Sequence, residues 1–135
     1  MLLASLQSLP QAEMKYVDSA VLTSMSEELG ADVCQQLLSL FVTELIDLSA
    51  QLALALAEKN LTAIGDITHI LKNSAALYGA NALAVSAREL NDNLQQAPAQ
   101  IIQAANLVQD LVGATLTAYQ QLIDSAAATE SGVLK

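Results

Sequence analysis

This chain has no tryptophan, one histidine and one cysteine, and its aromatic residues are one phenylalanine and three tyrosines. The core must therefore be built from aliphatic side chains. A lone cysteine, Cys34, excludes an internal disulfide and is consistent with a reducing compartment. It reads most simply as a small core residue. With so few Cys and His, no metal-ligand cluster can be assembled, and no metal is expected. Two prolines and five glycines leave long stretches without a breaker. Five basic residues face fourteen acidic ones, a net charge of −9. No basic patch exists to neutralise phosphates, so nucleic acid is excluded as a partner and an anionic membrane is disfavoured. An acidic surface instead favours protein partners with basic or apolar docking surfaces.

The opening run Met1-Leu2-Leu3-Ala4-Ser5-Leu6 is apolar but has no basic segment and no signal-length apolar region before Pro10, so no leader is expected. The most apolar stretch, Leu45 to Ala57, is interrupted by Asp47 and Gln51 and does not read as a membrane span. A cytoplasmic, monomeric protein is the expectation.

Hydrophobic residues make up 53% of the chain, and they recur at helical spacing. Residues 1–17 lack a clear period and read as an N-terminal arm or short helix. Asp18 is a good N-cap for a helix over 19–29, with Leu22, Met25 and Leu29 on one face and Gly30 as its stop. A second helix over 31–58 carries Cys34, Leu38, Phe41, Leu45, Leu48, Leu52 and Ala55 in alternating steps of four and three. Lys59-Asn60 ends it. A third starts near Leu61, with Ile64, Ile67, Thr68, Leu71, Ala75 and Tyr78 inward, and Gly79 ends it. A fourth over 81–95 turns Leu83, Ala87, Leu90 and Leu94 inward. Pro98 sits in the first turn of a fifth, where its missing N–H costs nothing. Its stripe is Ile101, Ala105, Val108, Val112, Leu116, Tyr119 and Ile123, and residues 125–135 read as a flexible C-terminal tail. The fold expected is all-α: an antiparallel up-down four-helix bundle over 18–124, with an extra short N-terminal helix.

The one histidine, His69, lies on the third of these helices. Residues step by about 100° around a helix. With Ile64, Ile67, Leu71, Ser74 and Tyr78 facing the core, His69 points away, beside Gly65, Asp66, Lys72, Asn73 and Ala76. A histidine held out to solvent on a rigid helix, next to a cation, suits reversible phosphate carriage. An ordinary imidazole has a pKa of about 6.5 and offers a neutral nitrogen near pH 7. Phosphoryl transfer asks the protein mainly for positioning and charge compensation, which Lys72 at i+3 can supply. Gly65 lowers the surface for a partner, Asn73 can hydrogen-bond, and Ala76 keeps the next turn low. The chain has no glycine-rich phosphate loop and no second histidine, so it cannot bind ATP or catalyse alone.

The run His69-x-Leu71-Lys72-x-Ser74-Ala75, followed by Gly79-Ala80, resembles the signature H-x-L-K-G-S-[SA]-x-x-x-G-A of the histidine-containing phosphotransfer (HPt) domain. Upstream, Glu28-Leu29-Gly30 and Leu38-x-x-Phe41-x-x-Glu44-Leu45 are similar to the preceding family helices. The resemblance covers 18–124, and the independent short chain is similar to the stand-alone, LuxU-like branch. It implies a four-helix bundle that takes phosphate from a receiver-domain aspartate of a hybrid sensor kinase and passes it to the aspartate of a response regulator. It further implies His69 as phosphoacceptor, Lys72 as its cation and Gly79 as the glycine ending the helix. A polar residue of the next helix would approach the imidazole: Asn91 first, Arg88 second. Magnesium would sit on the partner receiver, and the chain itself would need no cofactor. Asn73 departs from the family pattern, which has glycine there, and bears on which receivers fit.

The docking surface expected is the face Thr62, Gly65, Asp66, His69, Lys72, Asn73 and Ala76 with the adjoining face of the second helix, where Leu40 or Val42 are candidate anchors. The rival readings are an adaptor bundle whose histidine is incidental, a dimerising kinase fragment, and an HPt-like module that binds receivers without taking phosphate.

Overall fold

The computed structural model describes Leu6 and residues 15–134, with side chains as far as Ala126. Five helices follow one another: α1 (Ser19–Leu29), α2 (Ala31–Glu58), α3 (Leu61–Leu77), α4 (Asn81–Asp92) and α5 (Pro98–Leu134). Their boundaries are set by the residues the sequence places there. Asp18 accepts from the Ala20 N–H at 3.0 Å and caps α1. Gly30, at φ 91, closes α1 through its N–H to Ser26 O and opens α2 through its carbonyl to Cys34 N. Lys59 takes a left-handed conformation at φ 53, and Asn60 then caps α3 by accepting from Ala63 N at 3.0 Å.

Helices α2 to α5 pack in a ring, each against the next and α5 back against α2, while α1 lies on α2. This is an up-down four-helix bundle, as the short connections require. The predicted stripe of α2 is buried throughout, and Val42 joins it, so Val42 is core and not an exposed anchor. Among the described residues, α2 alone is long and apolar enough to cross a membrane, with mean hydropathy 1.6 over its best window. A core helix has the same character, and Leu38, Leu45 and Leu52 are here fully buried inside the bundle.

Elsewhere the periodicity needs correction. On α1, Ser26 is buried and Leu29 half-exposed, because Leu29 stands at the open end of the helix. On α5 the stripe starts as expected, then Thr115, Ala118 and Leu122 turn fully inward, leaving Leu116 and Ile123 half-buried. The buried positions Ile101, Ala105, Val108, Val112, Thr115, Tyr119, Leu122 and Ala126 keep to steps of four and three throughout, whereas the expected stripe took a second successive step of four to reach Leu116. Helix α4 stops at Asp92, not residue 95, since Asn93 turns its side chain back onto Glu89 O at 2.7 Å, competing with the helical ladder. Leu94 consequently leaves the core stripe and is partly exposed. Helix α5 continues through Leu134, past the tail boundary at 125, because no proline or glycine interrupts the alanine-rich run after it until Gly132. Val17 is already core, and so is Leu6; the rest of the N-terminal arm before Lys15 lies outside the described residues.

Three of the four aromatics meet at the C-terminal end of α3. Phe41 stacks on Tyr78 at 4.6 Å and meets Tyr119 edge-on at 5.1 Å. The Tyr119 hydroxyl donates to the Tyr78 carbonyl at 2.6 Å. The turn that follows is a Schellman motif: Ala80 N donates to Ala75 O, Gly79 N to Ala76 O, and Gly79 sits at φ 79. The Gly79 carbonyl then accepts from Asp18 N at 2.7 Å, and Asp18 also accepts from Asn81 Nδ2, so the start of α1 is tied to the α3–α4 corner.

Two glycines with positive φ separate strain from crowding. A Cβ at Gly79 would lie 3.1 Å from Val21 Cβ and 3.2 Å from Asp18 O, whereas one at Gly30 meets nothing within 4 Å. Gly30→Ala should cost about 1 kcal/mol from strain alone, and Gly79→Ala roughly 2–4 kcal/mol. Denaturant unfolding of the two variants checks this, and equal losses would show that the corner yields freely.

Burial pushes the Cys34 thiol up, and it does the same to the Tyr78 and Tyr119 phenols, with smaller contributions from Glu44 and Asp18 respectively. A raised folded value means that the unfolded chain gives up these protons first. Stability is then complete below the ordinary thiol and phenol values of 9.0 and 10.0 and falls as pH rises through them. The unfolding midpoint should drop between neutral pH and about pH 10.5, less steeply in Tyr119→Phe, which at neutral pH costs about 1 kcal/mol for its lost hydrogen bond.

Candidate functional site

His69 occupies the middle of α3 and is exposed, as its offset from the core stripe requires. Ile64, Ile67, Leu71 and Ala75 hold the opposite side of the helix in the core, so the imidazole's direction is fixed by packing and not by its own contacts. Thr62, Asp66, Asn73 and Ala76 share its open face. Lys72 is half-buried on the flank towards α4, one turn beyond His69, where i and i+3 side chains are neighbours.

Gly65 is not on the open face. It is buried, and a Cβ there would meet Leu94 Cδ1 at 3.0 Å. Its missing side chain makes room for Leu94, and Gly65 also lines an open depression beside His69. Leu94 and Asn91 close one side of this depression, whose other walls are Leu61, Thr62, Gly65, Asp66 and His69. Asp66 and Lys72 thus place one charge of each sign within a turn of His69.

Asn91 lies in this site, yet its partners are not the imidazole. Its Oδ1 accepts from Lys72 Nζ at 3.2 Å, and its Nδ2 donates to the Gly65 carbonyl at 3.0 Å and, more weakly, to Thr68 Oγ1 at 3.4 Å. The amide cannot be flipped without facing oxygen to oxygen and amine to ammonium. The Thr68 hydroxyl in turn lies 2.9 Å from Ile64 O and 3.1 Å from Gly65 O. Arg88 is exposed on α4 and is not among the residues lining the depression. Gly79 works as the helix stop described above, away from the depression.

The sequence reading gave no part in the site to Thr68, Leu94, Ile70 or Leu77. Thr68 reads as one more core position, and only its hydroxyl among aliphatic neighbours marks it. Leu94 was assigned inward. Ile70 and Leu77 emerge as exposed apolar residues on α3, with Leu40 and Leu54 exposed on α2. Exposed apolar side chains thus stand on α3 and α2 as well as charge, a mixture that suits transient docking of a protein. Among the described residues no group of His, Cys, Asp and Glu can hold a metal ion.

One family model, described as the Hpt domain, matches residues 36–129. Two proteins named "Phosphorelay protein LuxU", from Vibrio vulnificus strains YJ016 and CMCP6, are each 35% identical to this chain over 86 residues, which is 64% of this chain and 75% of theirs. No solved structure matches at a significant level. The family match takes in most of α2, all of α3 and α4 and most of α5, and with them His69, Lys72 and Asn91. The chain belongs to the Hpt domain family.

Proposed function

We propose that this protein is a phosphorelay intermediate of two-component signalling, with His69 as the phosphoacceptor. The observation that carries the reading is the placement of the chain's one histidine: exposed at mid-helix, opposite the core stripe, with Lys72 one turn away. The relatives' printed name supports the same role. In the forward step a neutral imidazole nitrogen attacks the phosphorus of an aspartyl phosphate. The N–P bond forms, the P–O bond to the aspartate breaks, and the carboxylate leaves on the donor. Lys72 offsets the charge of the phosphoryl oxygens. The return step, onto a second aspartate, is the reverse.

The donor is the receiver domain of a hybrid sensor kinase and the acceptor that of a response regulator. Each receiver brings its own aspartate and magnesium. The protein is a carrier and not an enzyme, works as a monomer in the cytoplasm, and requires no cofactor of its own. Asp66, Asn73 and Ala76 form the ground on which receivers land, with Ile70, Leu77 and Leu40 as apolar anchors. Asn73, where the family has glycine, restricts the receivers that fit.

His69→Gln should abolish uptake of label from a radiolabelled phosphorylated receiver, while unfolding free energy stays within about 0.5 kcal/mol of wild type, since the side chain is exposed. The wild-type label should be lost in acid and kept in alkali, as a phosphoramidate is. Label on the glutamine variant would move the phosphoacceptor to another residue, and label on neither protein would support instead an adaptor that binds receivers without carrying phosphate. Lys72→Ala should slow transfer on the order of tenfold without stopping it, read as the single-turnover rate.

A further inference from the structure

The histidine face carries one cation, and a lysine is a poor fixed charge. Its four-carbon stem has large rotamer freedom, and an ammonium free in water gains little from waiting beside a site that is empty for part of each cycle. In this protein that freedom is restricted from a second helix. Lys72 is half-buried, and its ammonium is held at 3.2 Å by Asn91 Oδ1. The hold is specific because Asn91 is itself held. Its Nδ2 faces the Gly65 carbonyl at 3.0 Å and Thr68 Oγ1 at 3.4 Å, all on α3 within four residues of His69. Gly65 is a glycine in contact with Leu94, so the α4 end can come close enough for Asn91 to reach that carbonyl. The amide therefore reads the α3 backbone with one end and presents an acceptor to the lysine with the other.

We propose that Asn91 is a positioning residue for phosphoryl transfer, acting through Lys72: anchored on Gly65 O and Thr68 Oγ1, its amide oxygen keeps the ammonium beside His69 before the phosphoryl group arrives. This rests on the reading of His69 as phosphoacceptor. One ammonium proton is engaged by Asn91, and two remain to meet phosphoryl oxygens. An ammonium already in place need not lose its freedom during the transfer, which is the ordinary gain from preorganisation. The neutral amide does this without cancelling the lysine's charge, as a carboxylate at position 91 would.

A double-mutant cycle separates this role from a structural one. Single-turnover transfer from a phosphorylated receiver domain is measured at saturating receiver for the wild type, Asn91→Ala, Lys72→Ala and the double variant, with unfolding free energies alongside. Asn91→Ala should slow transfer several-fold, up to about tenfold, with receiver affinity unchanged, and should add almost nothing once Lys72 is alanine. The same fractional loss in both lysine backgrounds, or no loss in either, overturns the assignment. Should Asn91→Ala unfold, Asn91→Ser enters the same cycle: its hydroxyl can serve the Gly65 carbonyl but is too short to reach Lys72, and the same two outcomes decide. Failure of the wild type to take label removes the His69 reading and this one together. Label on the wild type with an additive cycle removes only the role of Asn91.

Discussion

The placement of the imidazole depends on an aromatic contact at the far end of its helix. In a core that is otherwise aliphatic, Phe41, Tyr78 and Tyr119 bring α2, the end of α3 and α5 to one point, and the Tyr119 hydroxyl donates to the carbonyl of Tyr78, the residue that caps α3. Rings are large and stiff, so a stacked pair tolerates little rotation of the helices that carry it. With α3 fixed at Tyr78 and capped at Asn60, its azimuth is set at both ends. The residues between have a determined inside and outside, and His69 falls outside. The same junction receives Asp18 through the Gly79 carbonyl, which explains why a short helix lying outside the four-helix ring is nonetheless integral to the fold.

Much of this was legible in the sequence because bundles are built from local rules. The α2 stripe, the cap at Asp18 and the stop at Gly79 are each decided by residues within a turn of one another. The exposed histidine with its lysine follows from helical geometry alone. The errors arise where the deciding neighbour is remote or where small deviations accumulate. No local rule says that Gly65 faces Leu94, because the two are brought together by the α3–α4 packing. The α5 stripe slid at Leu116 because a leucine was preferred to its neighbour Thr115, although the steps of four and three that hold along the whole helix place the threonine inward. Helix α4 was overextended because the hydrophobic pattern continues to Leu94, whereas the turn of Asn93 onto Glu89 O is a hydrogen bond that a hydrophobic pattern does not register. Asn91 lines the same depression as His69 but hydrogen-bonds Lys72, Gly65 and Thr68 instead of the expected imidazole: sequence gives the helix face, but only three-dimensional distances distinguish imidazole from ammonium.

The site thus contains two materials with different roles. One is the aliphatic face of α3, which contributes rigidity and no chemistry. The other is a small polar lattice at the α3–α4 seam, running from the Ile64 and Gly65 carbonyls through Thr68 and Asn91 to Lys72. Such a lattice is a weaker contributor to stability than the packing around it, because its members would also be hydrogen-bonded to water in the unfolded chain. Its value lies in direction. It specifies where an ammonium points, to a degree that a hydrophobic contact could not.

A last consequence concerns traffic. Among the described residues nothing covers the imidazole: α3 itself blocks it from beneath, and one open face leads to it. Any two partners that exchange phosphate with His69 must take turns on the same ground. If His69 is the phosphoacceptor, a donor and an acceptor that need this same face exchange in ping-pong order, and whichever partner is abundant and unreactive obstructs the other. The throughput of such a relay is then governed by how fast partners leave as much as by how fast phosphorus moves, which favours a landing face of modest, scattered apolar contacts over a sticky one.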